Sequence, residues 1–117
     1  MTNLYLAVVF LMLATTVSFG AKKEKAYSGE IMDSTCAKMG NHDAGYKLTG
    51  TSTAKECTEA CVKSGAKYVL YDASTKTAYE LDKQDKAKDL AGQKVKVEGT
   101  LDHATKTIHV DTIQAAP

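Results

Sequence analysis

Three cysteines and one histidine, Cys36, His42, Cys57 and Cys61, fall between Asp33 and Gly65. Thiolate and imidazole are the side chains that hold zinc in tetrahedral sites, and thiolate also suits Cu(I). Cys57 and Cys61 are four residues apart, which on a helix sets their Cβ atoms about 5–6 Å apart on one face. A disulfide needs roughly 3.5–4.5 Å. The pair therefore suits two ligands on one ion better than a bond to each other. Cys36 and His42, from the preceding segment, complete a set of three cysteines and one histidine for zinc or copper, with Met32 or Met39 as a thioether for copper. Asp33 and Asp43 are nearby acids able to orient His42 or supply oxygen, although acidic residues in loops are usually just solvated.

A second reading of the same residues is a disulfide from Cys36 to either Cys57 or Cys61. Closing a loop of about 20–25 residues contributes around 3 kcal/mol in the chain-entropy model. It leaves one cysteine over, because three is an odd number. Thiol redox chemistry fits less well: it calls for C-x-x-C at a helix start, and the spacing here is C-x-x-x-C. Haem attachment calls for C-x-x-C-H, which does not occur.

The chain opens on an apolar run, Leu4 to Ala14, followed by small residues at Ser18 and Gly20. That run falls short of the roughly 20 residues a spanning helix needs. It reads as a signal peptide over residues 1–20, cleaved after Gly20, which places the protein in the periplasm or outside the cell. Thiols there become disulfides or metal ligands. The rest is one domain's worth of chain. It has no Trp or Phe beyond residue 20, so the core must come from aliphatics and tyrosines, and a staple or metal would help it. Fifteen basic residues against fourteen acidic ones give no electrostatic case for nucleic acid or, after signal cleavage, for a membrane surface.

Residues 21–25 are a charged lead-in, and the domain occupies 26–117. A first strand is expected over 26–33, with Gly29 marking a bulge or tight curvature. Residues 34–51 show no sustained period and read as a long loop. Thr53 and Glu56 form a capping box that predicts a helix from about Ala54 to Lys63, ended by Gly65. Two hairpins follow, 67–71 with 77–81 and 95–101 with 107–113. Their turns are near copies, Asp72-Ala-Ser-Thr-Lys76 and Asp102-His-Ala-Thr-Lys106, in which an entering Asp bonds its own backbone. Residues 82–91 read as a short exposed helix. The expected fold is mainly β: a five-stranded OB-type Greek-key barrel, with one helix inserted between the first and second strands inside a Cys/His-rich insertion over 33–65.

Gly29-Glu-Ile31, Tyr68-Val-Leu-Tyr-Asp72 leading to Tyr79-Glu-Leu81, Val95-Lys-Val-Glu-Gly-Thr-Leu-Asp102 and Ile108-His-Val110 resemble the small periplasmic bacterial OB-fold proteins. Asp33-Ser-Thr-Cys36 with the later Cys57 and Cys61 is similar, more narrowly, to a group of small secreted bacterial proteins of uncharacterised function. The resemblance implies the OB fold and supplies no activity.

Outside the insertion the chemistry is sparse. His103 falls in a turn and His109 in the last strand. Tyr68, Tyr71 and Tyr79 form a candidate stacking face for single strands or sugars, but with no other aromatics left the stronger claim on them is as core and cross-strand partners. No nucleophile–base pair, phosphate loop or paired carboxylates stand out. The sequence reads as a non-enzyme whose partner is a metal ion or, as a disulfide-stapled module, a protein, peptide or oligosaccharide.

Overall fold

The computed structural model describes residues 24–117. The signal peptide read at residues 1–20 lies outside them, as does most of the lead-in. Nine elements follow in order: β1 (Lys25–Asp33), α1 (Ser34–Met39), α2 (Asp43–Thr49), α3 (Ala54–Lys63), β2 (Tyr68–Asp72), β3 (Thr77–Leu81), α4 (Gln84–Lys88), β4 (Lys94–Asp102) and β5 (Thr107–Ala115). Among the described residues, no helix is long and apolar enough to cross a membrane.

The five strands form a single sheet that closes on itself in the order β1-β2-β3-β5-β4. β1 is the hub. Its first half pairs with β4 and its second half with β2, both antiparallel, and Glu30 is matched on both sides. The ring is completed by two parallel pairs, Glu80 with Thr107 and Leu81 with Ile108. The register irregularity of the sheet falls at Glu98/Gly99 in β4. Both hairpin turns form as expected. Asp72 Oδ1 accepts from the Ser74 backbone N–H at 2.9 Å and Asp102 Oδ1 from that of Ala104 at 2.9 Å. Each turn then ends on a lysine in the left-handed region, Lys76 and Lys106, both at φ 53°.

Alternating residues send Ile31, Leu70, Val95, Val97, Ile108 and Val110 inside the ring, where α4 adds Ala87 and Tyr68 closes the packing. Gln84 ties α4 to β2: its Oε1 accepts from Tyr68 N–H at 2.9 Å while its amide donates to Tyr68 O at 2.8 Å. Successive strand residues point to opposite faces, so Met32, Val69 and Tyr71 face outward. They are buried nonetheless, beneath a second cluster that includes Cys36, Ala37 and Cys57. The insertion is thus a layer laid on the outer face of β1 and β2.

That layer departs from the single inserted helix expected. α3 has the anticipated bounds, with Thr53 Oγ1 accepting from Glu56 N–H at 3.2 Å. At its far end the Gly65 and Ala66 amides donate to Val62 O and Cys61 O, the paired bonds of a Schellman cap. The stretch read as a loop folds as two further helices, α1 and α2. Each is closed by a left-handed glycine, Gly40 at φ 78° and Gly50 at φ 69°.

Candidate metal centre

Asp33 is both the last residue of β1 and the N-cap of α1. Its Oδ2 accepts from the Cys36 backbone N–H at 2.8 Å, satisfying one of the free donors of a helix start. A cap of this kind holds the carboxylate beside the third helical residue, and here that residue is a cysteine. Pairing with Tyr68 fixes Asp33 from the β2 side. α3 supplies Cys57 in its first turn and Cys61 one turn later. Cys36 and Cys57 are fully buried and Cys61 is half-buried.

One ligand atom from each of Asp33, Cys36, Cys57 and Cys61 lies within 4.8 Å of all the others. Donors about 2.3 Å from a tetrahedral zinc ion stand roughly 3.8 Å apart, so a small contraction of the group would enclose an ion. All three cysteines are free thiols. Asp33 is completely buried, and its second oxygen, Oδ1, has no hydrogen-bond partner. Such orphans are rare in folded proteins and call for an occupant such as an ion or water. The donor set is three soft sulfurs and one carboxylate oxygen, and it fits a transition-metal ion.

Burial pushes the Cys36 thiol far above its ordinary range, and the Asp33 carboxylate and Cys57 push it the same way. Cys61 is raised by burial first and then by Asp33 and Cys57, with a small opposing contribution from Cys36. Thiols held protonated are poor nucleophiles at neutral pH. A metal ion binds the thiolate, so its arrival would displace those protons.

α2 roofs the group. A Cβ on Gly45 would stand 2.6 Å from Cys36 Sγ and 2.6 Å from Cys57 Sγ. The absence of a side chain is what lets the α2 backbone rest on the two sulfurs. Gly45 is the buried residue of α2, and Leu48 on the same helix is 87% exposed.

His42 stands outside the group of four, and Asp33 is where a fourth donor was expected from the histidine. The His42 ring stacks on Tyr46 at 5.7 Å, its Nε2 is 3.3 Å from Glu30 Oε1, and its Nδ1 is buried without a partner. Asp43 is exposed, with its backbone N–H capped by Asn41 Oδ1 at 2.9 Å. Met32 packs in the same buried layer as Cys36 and Cys57, whereas Met39 is half-exposed. His103 and His109 are exposed, and His109 Nδ1 lies 3.1 Å from Asp82 Oδ2.

The three tyrosines do not make one face. Tyr68 and Tyr71 are three residues apart on a strand, an odd spacing that puts them on opposite sides. Tyr68 is buried inside the ring and Tyr71 under the helical layer. Tyr79 is partly buried, tilted against Tyr27 with ring centroids 5.5 Å apart.

The model of a family described as a protein of unknown function (DUF5818) matches residues 62–116. The matched stretch starts one residue after Cys61 and runs through β2, β3, α4, β4 and most of β5. No curated protein and no solved structure matches the chain. The similarity therefore falls on the sheet, and the cysteine cluster lies just ahead of it.

Proposed function

We propose that this is an exported, non-enzymatic OB-type protein that binds one transition-metal ion, zinc or copper, in its insertion, as a structural brace or for sequestration. The observation that carries the reading is the meeting of three thiols and a fully buried carboxylate within 4.8 Å. The N-terminal apolar run ending in Ser18-Phe-Gly20 supports export and cleavage. The sheet order β1-β2-β3-β5-β4 with a parallel β3–β5 seam supports the OB assignment. So does the position of the insertion, since OB barrels commonly carry their ligand sites around the connection between the first two strands.

The test is the intact mass of the mature protein, purified without chelator, under native and then denaturing conditions. One zinc or copper in the native mass, with three reduced thiols after denaturation, is the expected result. A metal-free protein two hydrogens light would overturn it in favour of a disulfide-stapled module.

A further inference from the structure

We infer that Asp33 is the fourth ligand of the site and that its carboxylate makes the site select a divalent ion of the zinc class over Cu(I). This rests on the metal-binding reading and names the ion and the ligand that decides it.

The argument starts from what each candidate fourth donor already does. His42 Nε2 is engaged with Glu30 at 3.3 Å, and the ring stacks on Tyr46 with centroids 5.7 Å apart, outside the group of four. Met32 packs in the same buried layer as Cys36 and Cys57, but a thioether is a ligand for soft Cu(I). His42 Nδ1 and Thr58 Oγ1 are also buried without partners, but of the four grouped residues it is Asp33 that carries a buried oxygen with nothing bonded to it, while its other oxygen is pinned by the Cys36 N–H at 2.8 Å. The pinned oxygen fixes the direction of the free one, so the donor is preorganised by the sheet and the helix cap together.

The chemistry of that donor then discriminates between ions. Zinc accepts carboxylate oxygen at about 2.0–2.2 Å alongside thiolate sulfur. Cu(I) is soft and favours thiolate and thioether, whereas carboxylate is a ligand for harder ions. With copper bound by the three sulfurs, the Asp33 charge would stay buried and unpaired, which is costly. A divalent ion takes the oxygen and offsets one more negative charge. Three thiolates without the carboxylate would carry the reverse preference.

The experiment uses the reduced, metal-free mature chain and two probes, Zn2+ and Cu(I), each titrated against a competing chelator. Asp33→Asn keeps a good N-cap and removes the anionic donor. The expected result is a loss of zinc affinity of about tenfold or more with little change for copper, while His42→Ala leaves both unaltered. Equal zinc affinity in Asp33→Asn and wild type would overturn the inference, as would a wild-type preference for Cu(I), whose thioether ligand Met32→Leu would then identify. X-ray absorption of the zinc-loaded wild-type protein is independent of how the variant folds: it should show three sulfurs and one oxygen, and an imidazole or fourth sulfur would overturn the assignment. A wild-type chain that binds neither ion, its thiols being reduced, would remove the metal reading itself, an outcome distinct from a site that binds zinc without Asp33.

Discussion

Inside the closed sheet, Ile31, Leu70, Val95, Val97 and Ile108 are apolar and fully buried. One residue along the same strands, Met32, Val69 and Tyr71 face a layer that mixes apolar contacts with three thiols, and Asp33 brings its carboxylate to that layer from the end of β1, where it caps α1. The buried side-chain polar atoms without partners found among the described residues are Asp33 Oδ1, His42 Nδ1 and Thr58 Oγ1. All three belong to the insertion or its edge, and the interior of the ring contributes none. A hydrophobic interior is complete once its side chains interlock. A layer with unmatched polar groups needs something further to complete it. The two regions share β1 and β2, yet only the outer one is built around donor atoms.

The sharpest way to break this contrast is a pair of substitutions, one on each side of the shared strands. Cys57→Ser should abolish metal uptake, a loss well beyond the roughly 10–100-fold that follows removal of a ligand's hydrogen-bonding neighbour, while the circular dichroism of the sheet persists. Leu70→Ala should destabilise the fold by about 2–5 kcal/mol and leave metal stoichiometry at one in the folded protein. Stoichiometry comes from native mass and stability from urea denaturation. A Cys57→Ser protein whose sheet collapses, or a Leu70→Ala protein that folds without metal, would show that the regions are one cooperative unit.

Gly45→Ala sharpens the contrast within the outer layer. Its Cβ would sit 2.6 Å from two sulfurs, so α2 must lift or the cysteines must move, at a cost of about 1–3 kcal/mol for overpacking. The expected signs are faster alkylation of Cys36 and Cys57 in the metal-free protein and faster loss of metal to a chelator, with the sheet unaffected. Unchanged alkylation rates would mean that α2 does not cover the sulfurs.

The hairpins were legible because Val95, Val97, Gly99 and Leu101 alternate with polar residues, and because Asp at each turn entrance has one obvious use. α3 was legible from its cap and its Gly65 stop. α1 and α2 were not: six and seven residues are too few to display a helical period. Their helicity depends on packing over β1 and β2 and on the glycines that close them. The site was half legible. The spacing of Cys57 and Cys61 announced a shared face, but His42 was nominated by nearness in sequence, which does not settle where a ring points. Asp33 stood among the acids able to supply oxygen, and the unused signal was its place three residues ahead of Cys36, the N-cap spacing that sets a carboxylate beside a thiol. Reading the three tyrosines as one face failed on parity, which the sequence itself displays.

The smallest expected effect is in pH dependence, and it separates the metal-free from the loaded layer. In the metal-free protein Cys36 and Cys61 are raised by burial and by Asp33, above an unfolded value of about 8.5. The folded state then holds its thiol protons more tightly than the unfolded state does. Its stability is fully present below that value and is lost as pH climbs from there towards the folded pKa values. A bound metal reverses the sign, because it binds thiolates and competes with protons, so loading tightens as pH rises. Urea midpoints measured from pH 7 to pH 10 should therefore fall for the metal-free protein and hold or rise for the loaded one. Cys36→Ser should flatten the metal-free slope. A metal-free midpoint that stays level across that range, in wild type and variant alike, would mean that the thiols are not confined beside a buried carboxylate, and the outer layer would lose the feature that distinguishes it from the interior of the ring.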